Sequence, residues 1–195
     1  MIKFENVSFS YEKGKDIIKE LSFEIPDGGK VCFSAASGEG KSTVFRLITG
    51  LESPRHGRVN IPEGVRFSAV FQDDRLIPWK TALENVALFA EAEADNAQSA
   101  DEAAESMLAR LGVGEAADMY PKELSGGMAR RVALARALCH PFDVLILDEA
   151  FTGLDDETKS KCIEVVNSCV EGKILLMASH DAREPEMLGA DTFVL

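Results

Sequence analysis

Apolar and polar positions alternate near the start of the chain, at Val7, Phe9 and Tyr11 and again at Leu21, Phe23 and Ile25. Period-two alternation predicts half-buried strands, antiparallel, each with one wet face. The turn Pro26-Asp27-Gly28-Gly29 leads into Val31-Cys32-Phe33, a continuous apolar run of the kind a strand covered on both faces needs. After a glycine-rich loop, residues 41–49 carry a helical pattern that ends at Gly50, a suitable C-cap. Short strands are predicted at Arg58–Ile61 and Val65–Phe71. From Thr81 to Leu111 the pattern is helical, and its polar middle, residues 91–105, is expected to include a mobile loop between two helices. A third helix is expected from Ser125 to about Cys139, then the apolar run Val144–Leu147, a helix over 156–170, the run Ile174–Met177 and a last strand at Thr192–Leu195.

Strands buried on both faces and alternating with helices predict an α/β fold with a mainly parallel core sheet. The antiparallel strands precede that sheet, and the helical stretch 81–140 interrupts the alternation. The expectation is one domain over 1–195, with a core of about 1–80 and 141–195 and an inserted helical subdomain of about 81–140.

Composition narrows the function classes. The 195 residues hold 21 Lys plus Arg against 33 Asp plus Glu, a net charge of −12. Nucleic acid and anionic lipid both call for clustered bases, so neither is expected as a partner. Seven acids and no base lie between Lys80 and Arg110, so much of the excess is local to the helical stretch. No apolar run approaches the ~20 residues of a membrane span. The four cysteines (Cys32, Cys139, Cys162, Cys169) have no zinc spacing and read as buried thiols in a reducing compartment.

The sharpest chemistry lies at Ala35-Ala36-Ser37-Gly38-Glu39-Gly40-Lys41-Ser42-Thr43, between a buried strand and a helix. Backbone N–H groups in a loop free of Cβ atoms can converge on a phosphate chain. The helix that follows adds its positive end, Lys41 a formal charge and Ser42 a hydroxyl for Mg²⁺. Ala35 stands where the phosphate-loop pattern has its first glycine. Alanine is harmless there at negative φ and costs roughly a kcal/mol or more in the left-handed region. A second signal is Asp148-Glu149 at the end of the run 144–147. In an open parallel sheet, ligands sit outside the carboxyl ends of the strands. There an Asp can reach a metal shell, and a Glu can orient or deprotonate a water.

With these stand Tyr11, Gln72 in VFQDDRLIPW, Leu124-Ser125-Gly126-Gly127-Met128, Gly153-Leu154-Asp155 and Ser179-His180-Asp181. Their order over nearly the whole chain resembles the ATPase domain of an ABC transporter, a P-loop NTPase. The resemblance implies ATP and Mg²⁺ as ligands. It places Tyr11 on adenine, the loop Ser37–Thr43 on the phosphates, and Ser42 and Gln72 on the metal. Asp148 would order the metal's water shell, Glu149 would be the catalytic base, and His180 would meet the γ-phosphate. Ser125, Gly126 and Gly127 would close on ATP held by a second subunit in a head-to-tail dimer, with Asp155 at that interface. Tyr11 also suits a strand aromatic packed in a small core. Ser125 is also a good helix N-cap, although Met128 holds the third position where Glu or Gln would complete a capping box.

Leu76-Ile77-Pro78-Trp79 is similar to the LLPW of nitrate, sulfonate and taurine importer ATPases, where the family meets the coupling helix of its membrane subunit. That implies separate permease subunits docking near Gln72 to Trp79, and a cytoplasmic protein held peripherally at the inner face of the membrane. Trp79 fits either an exposed docking anchor or a ring folded onto its own domain. Two other classes remain: a soluble ABC ATPase of a non-membrane assembly, such as iron–sulfur cluster assembly, and a small-molecule kinase of the P-loop class.

Overall fold

The computed structural model describes residues 1–12, 15–36, 38–90 and 97–195. The chain divides into two compact units, residues 1–67 with 143–148 and 172–195, and residues 68–142 with 149–171.

In the first unit, β1 (Ile2–Phe9) lies between β2 (Ile18–Ile25) and β4 (His56–Asn60), antiparallel to both. The alternation seen at Val7 and Phe9 does not run evenly through β1. Asn6 has φ +48°, and the pairing slips between Phe4 and Val7, so Ile2 and Phe4 are buried together with Val7 and Phe9. A β-bulge of this kind switches the parity of a strand once. Gly57 of β4 crosses there, and a Cβ on it would meet the carbonyl oxygens of Glu5 and Asn6 at 2.3 Å.

A parallel sheet follows, with β3 (Lys30–Ser34) between β7 (Ile174–Ala178) and β8 (Asp191–Val194), and β6 (Val144–Asp148) on the far side of β7. Every residue of β6 and β7 is buried, as a strand covered on both faces requires. Phe23 bridges the two sheets: its ring stacks on Phe4 at 4.4 Å and lies 5.5 Å from Phe33 and 5.1 Å from Phe193. Phe33 in turn meets Phe45 of α1 (Lys41–Ile48) edge-on. The aromatic cluster therefore seats the start of α1 beside the end of β3. A short helix, α6 (Arg183–Leu188), closes on Gly189 at φ +65° before β8.

The second unit begins in β5 (Phe67–Val70) and is otherwise helical, with α2 (Ala82–Ala90), α3 (Ala97–Arg110), α4 (Gly126–Cys139) and α5 (Asp156–Cys169). Helix α2 opens with a reciprocal cap. Glu84 accepts from the Thr81 N–H at 2.8 Å, and Thr81 Oγ1 accepts from the Glu84 N–H at 3.2 Å. The polar stretch predicted to contain a loop is helical from Ala97 onward, and its part at 91–96 lies outside the described residues. Of the four thiols, Cys32 and Cys162 are buried, while Cys139 and Cys169 are only half-buried.

Candidate nucleotide site

The carboxyl ends of β6, β7 and β3 lie along one edge of the first unit, and each carries a residue singled out in the sequence. Asp148 ends β6, paired with Ala178 of β7, and His180 follows two residues later. The loop 35–40 leaves β3 and enters α1 through Gly40, whose φ of +106° favours a residue without a Cβ. Gly38 is likewise at positive φ, +85°. Ala35 is not among the residues at positive φ, so alanine fits without strain where the pattern has glycine. Ser37 lies outside the described residues.

Lys41 is 8% exposed, and its ammonium donates to the carbonyls of Ala35 at 2.8 Å and Ala36 at 3.2 Å. The lysine is thereby folded over its own loop, where it holds a buried positive charge against two backbone acceptors. Across the loop, Glu39 accepts from the Ala36 N–H at 2.7 Å while its own N–H donates to the Ala36 carbonyl at 3.2 Å. The Ser42 hydroxyl donates to Asp148 Oδ2 at 2.7 Å, although 106 residues separate the two. Asp148 is 5% exposed. A hydroxyl and a carboxylate make a hard oxygen pair of the sort Mg²⁺ prefers, and Mg²⁺ characteristically takes one or two protein oxygens and fills its shell with water and phosphate. Among the described residues no cluster of three or more His, Cys, Asp or Glu offers a self-contained metal cage. The residues present fit Mg²⁺ carried with a phosphate chain.

Tyr11 lies beyond the end of β1, not within the strand that its alternation with Phe9 predicts. The Ser10 carbonyl beside it is taken by Arg55 at 3.0 Å, and not by a neighbouring strand. The ring stands edge-on to Phe9, is 52% exposed, and its hydroxyl is 3.5 Å from Thr43 Oγ1 at the start of α1. Half its surface is thus open beside the loop. His180 is exposed in a turn held by its neighbours. The Ser179 hydroxyl donates to Glu184 at 2.6 Å and accepts from the Asp181 N–H at 2.9 Å.

The second unit carries the remaining residues. Glu149, the first residue after β6, has φ +54°, a left-handed backbone that costs a non-glycine residue about 1–2 kcal/mol. Ser125 caps α4, its Oγ accepting from the Met128 N–H at 3.2 Å. Gly126 and Gly127 form the first turn, and Gly127 faces the Gly153-Leu154 turn, a Cβ there lying 3.5 Å from Leu154. Asp155 caps α5, and the hydrogen bond from the Thr158 N–H holds its carboxyl below the usual carboxylate range. Gln72 is exposed, and its carbonyl accepts from Arg130. The structure thus gathers Tyr11, Gly38–Thr43, Asp148 and His180 in one unit, and Gln72, Ser125–Gly127, Glu149 and Asp155 in the other.

A family model described as ABC transporter matches residues 18–152. The chain belongs to the ABC transporter family. Over 196 aligned residues it is 38% identical to the formylaminopyrimidine import ATP-binding protein ThiZ of Halalkalibacterium halodurans, covering all of this chain and 79% of that protein. It is 37% identical to the nitrate import ATP-binding protein NrtD of Synechocystis sp., covering 91% of this chain and 70% of that one. Its fold is that of an ABC ATPase. It superposes with a TM-score of 0.89 on the dimeric, post-hydrolysis ATP-binding cassette MJ0796 bound to ADP and Pi, 28% identical and covering all of this chain and 94% of that one.

Sequence reasoning missed residues that act on the backbone around the site. Arg130 and Arg136 of α4 donate to carbonyls of the segment that holds Gln72, and Asn85 of α2 donates to the carbonyls of Ile77, Lys80 and Thr81, in and just after the Leu76–Trp79 loop. The one available signal for Asn85 was its place beside the apolar run Val86-Ala87-Leu88.

Proposed function

We propose that this chain is the ATP-binding and ATP-hydrolysing subunit that powers an ABC-type membrane importer of a small anion or organic solute. The observation that carries the reading is the Ser42–Asp148 hydrogen bond of 2.7 Å at the strand ends, next to the loop that buries Lys41. It joins the phosphate loop to the acidic strand end, the two features phosphoryl transfer to water requires in one place. The import function follows that of the relatives named above.

In this reading the N–H groups of Gly38 and of Gly40 to Thr43, with the Lys41 ammonium, hold the phosphates, and Ser37 and Glu39 complete the phosphate-binding stretch of the sequence. Tyr11 stacks on the base with its open face. Ser42 and Gln72 would hold Mg²⁺, and Asp148, hydrogen-bonded to Ser42, would order the water around it. Bound Mg²⁺ supplies charge neutralisation on the phosphate oxygens. Glu149 accepts a proton from the attacking water, and His180 donates toward the γ-phosphate. Lys41 and the helix end stabilise the negative oxygens as charge shifts toward the leaving group.

Ser125, Gly126 and Gly127 meet the ATP of a second copy, with Asp155 at the same interface, so two copies enclose two nucleotides. No described helix is long and apolar enough to cross a membrane, so the reading assigns the span to separate permease subunits. They dock along Gln72 to Trp79, where Trp79 is 76% exposed, and hold the chain at the cytoplasmic face. Nucleotide titration of Lys41→Ala tests the reading. ATP binding should fall at least about a hundredfold, the loss of a buried charge-assisted contact of ~3 kcal/mol, and unchanged binding would exclude the loop as the site.

A further inference from the structure

The segment between β5 and the Leu76–Trp79 loop is bound by two arginines of α4. Arg130 donates through Nη1 to the Phe71 carbonyl at 2.8 Å and through Nη2 to the Gln72 carbonyl, and its Nε lies 3.1 Å from Asp74. Arg136 donates to the carbonyls of Asp74 at 2.8 Å and Arg75 at 2.9 Å. Four of the five carbonyls from residue 71 to 75 are therefore satisfied by guanidinium groups. Arg130 is 9% exposed, so this charge is held inside the unit, matched by Asp74 and by carbonyl oxygens. The turn itself is wound tightly: Arg75 has φ +47°, and its guanidinium lies over the Phe71 ring at 5.1 Å.

The two arginines sit six residues apart, about 9 Å along the helix. Arg130 stands one turn beyond Ser125, Gly126 and Gly127, so the helix that begins with those residues also grips the backbone of Gln72. A planar guanidinium presents five donors in a fixed fork, and so spans two adjacent carbonyls and a carboxylate at little further cost in side-chain freedom.

We infer that Arg130 and Arg136 are positioning residues that lock the backbone of Gln72 to the helix opening at Ser125, so that the loop and the helix move as one piece. The inference rests on the proposed role of Gln72 toward Mg²⁺. Displacement of the Leu76–Trp79 loop by a partner then reaches Gln72 and the Ser125–Gly127 segment together. Breaking the clamp leaves the phosphate loop intact and misplaces the Gln72 side chain.

The test is steady-state ATP hydrolysis by the full chain as a function of Mg²⁺, with ATP binding in EDTA measured in parallel. Arg130→Gln should raise the Mg²⁺ half-saturation about fivefold and lower kcat about tenfold, with binding in EDTA changed less than about twofold. Arg130→Lys, which keeps the charge near Asp74, should recover part of the loss. Arg130→Gln combined with Gln72→Ala should be no worse than Gln72→Ala alone, because the arginine acts through that residue. Should Arg130→Gln not fold, Arg136→Gln carries the same comparison, because it leaves the Arg130–Asp74 pair in place. A clamp that matters only for stability would lower the melting temperature and leave kcat and the Mg²⁺ dependence unchanged while Gln72→Ala shifts both, and that result overturns the inference. If Gln72→Ala itself leaves the Mg²⁺ dependence unchanged, the role of Gln72 fails, and the inference with it.

Discussion

Asn85→Ala should loosen the loop that presents Trp79, and the size of the effect can be worked from the bonds lost. Asn85 is fully buried, accepts from the Ile77 N–H at 2.7 Å, and donates to the carbonyls of Ile77, Lys80 and Thr81 at 3.2, 3.1 and 2.9 Å. Two of those carbonyls keep a partner after truncation. The Lys80 N–H still donates to Ile77, and the residue 85 N–H still donates to Thr81. The Ile77 N–H and the Lys80 carbonyl lose theirs. At about 1–3 kcal/mol for each buried group, eased by water entering beside exposed Pro78 and Trp79, the net cost is about 2–4 kcal/mol. With a urea slope of about 2 kcal/mol per M, the unfolding midpoint should fall by about 1–2 M. Urea titration followed by far-UV circular dichroism reads this directly. A midpoint within about 0.3 M of the parent protein, at unchanged slope, would refute the reasoning.

Two further outcomes follow from burial and exposure. Trp79→Ala should change stability by no more than about 0.5 kcal/mol, since little of the ring is buried, yet should weaken capture by detergent-solubilised permease subunits at least about tenfold. Equal capture of both forms would remove Trp79 from the docking surface. Burial pushes the Cys162 thiol up to about 11 from the usual 9.0. The folded thiol stays protonated while the unfolded one ionises, so its contribution is full below pH 9 and is lost between about pH 9 and 11. Urea midpoints across that range should therefore fall less steeply for Cys162→Ala than for the parent protein, and identical slopes would contradict the assignment.

The elements of the nucleotide site were legible because their signals are local. A buried strand, a glycine-rich loop and a helix start appear in order between Val31 and Ile48, and Ser125 caps α4 as its side chain predicts. Val144–Leu147 declares a fully buried strand through composition alone. What escaped was set by contacts distant in the chain. The bulge at Asn6 depends on the crossing of Gly57, so no window around Asn6 reveals the change of parity. Tyr11 continues the alternation of β1 in sequence but lies two residues beyond the end of that strand at Phe9. Arg130 and Arg136 carry no local signal, because their acceptors are the carbonyls of residues 71, 72, 74 and 75, some sixty residues earlier in the chain. Helix α6 is short and holds Pro185, which its first turn tolerates because no residue there donates an intrahelical hydrogen bond, so the N–H that proline lacks is not missed.

The central claim is that two copies of this chain enclose ATP and that Glu149 drives its hydrolysis. Size-exclusion chromatography of Glu149→Gln with and without ATP and Mg²⁺, coupled to light scattering and nucleotide quantification, tests it most directly. The account predicts a monomer without nucleotide and a stable dimer with two ATP molecules, with turnover reduced at least about a hundredfold through loss of the general base. A protein that stays monomeric at saturating ATP, or that hydrolyses ATP at the parent rate, would contradict it.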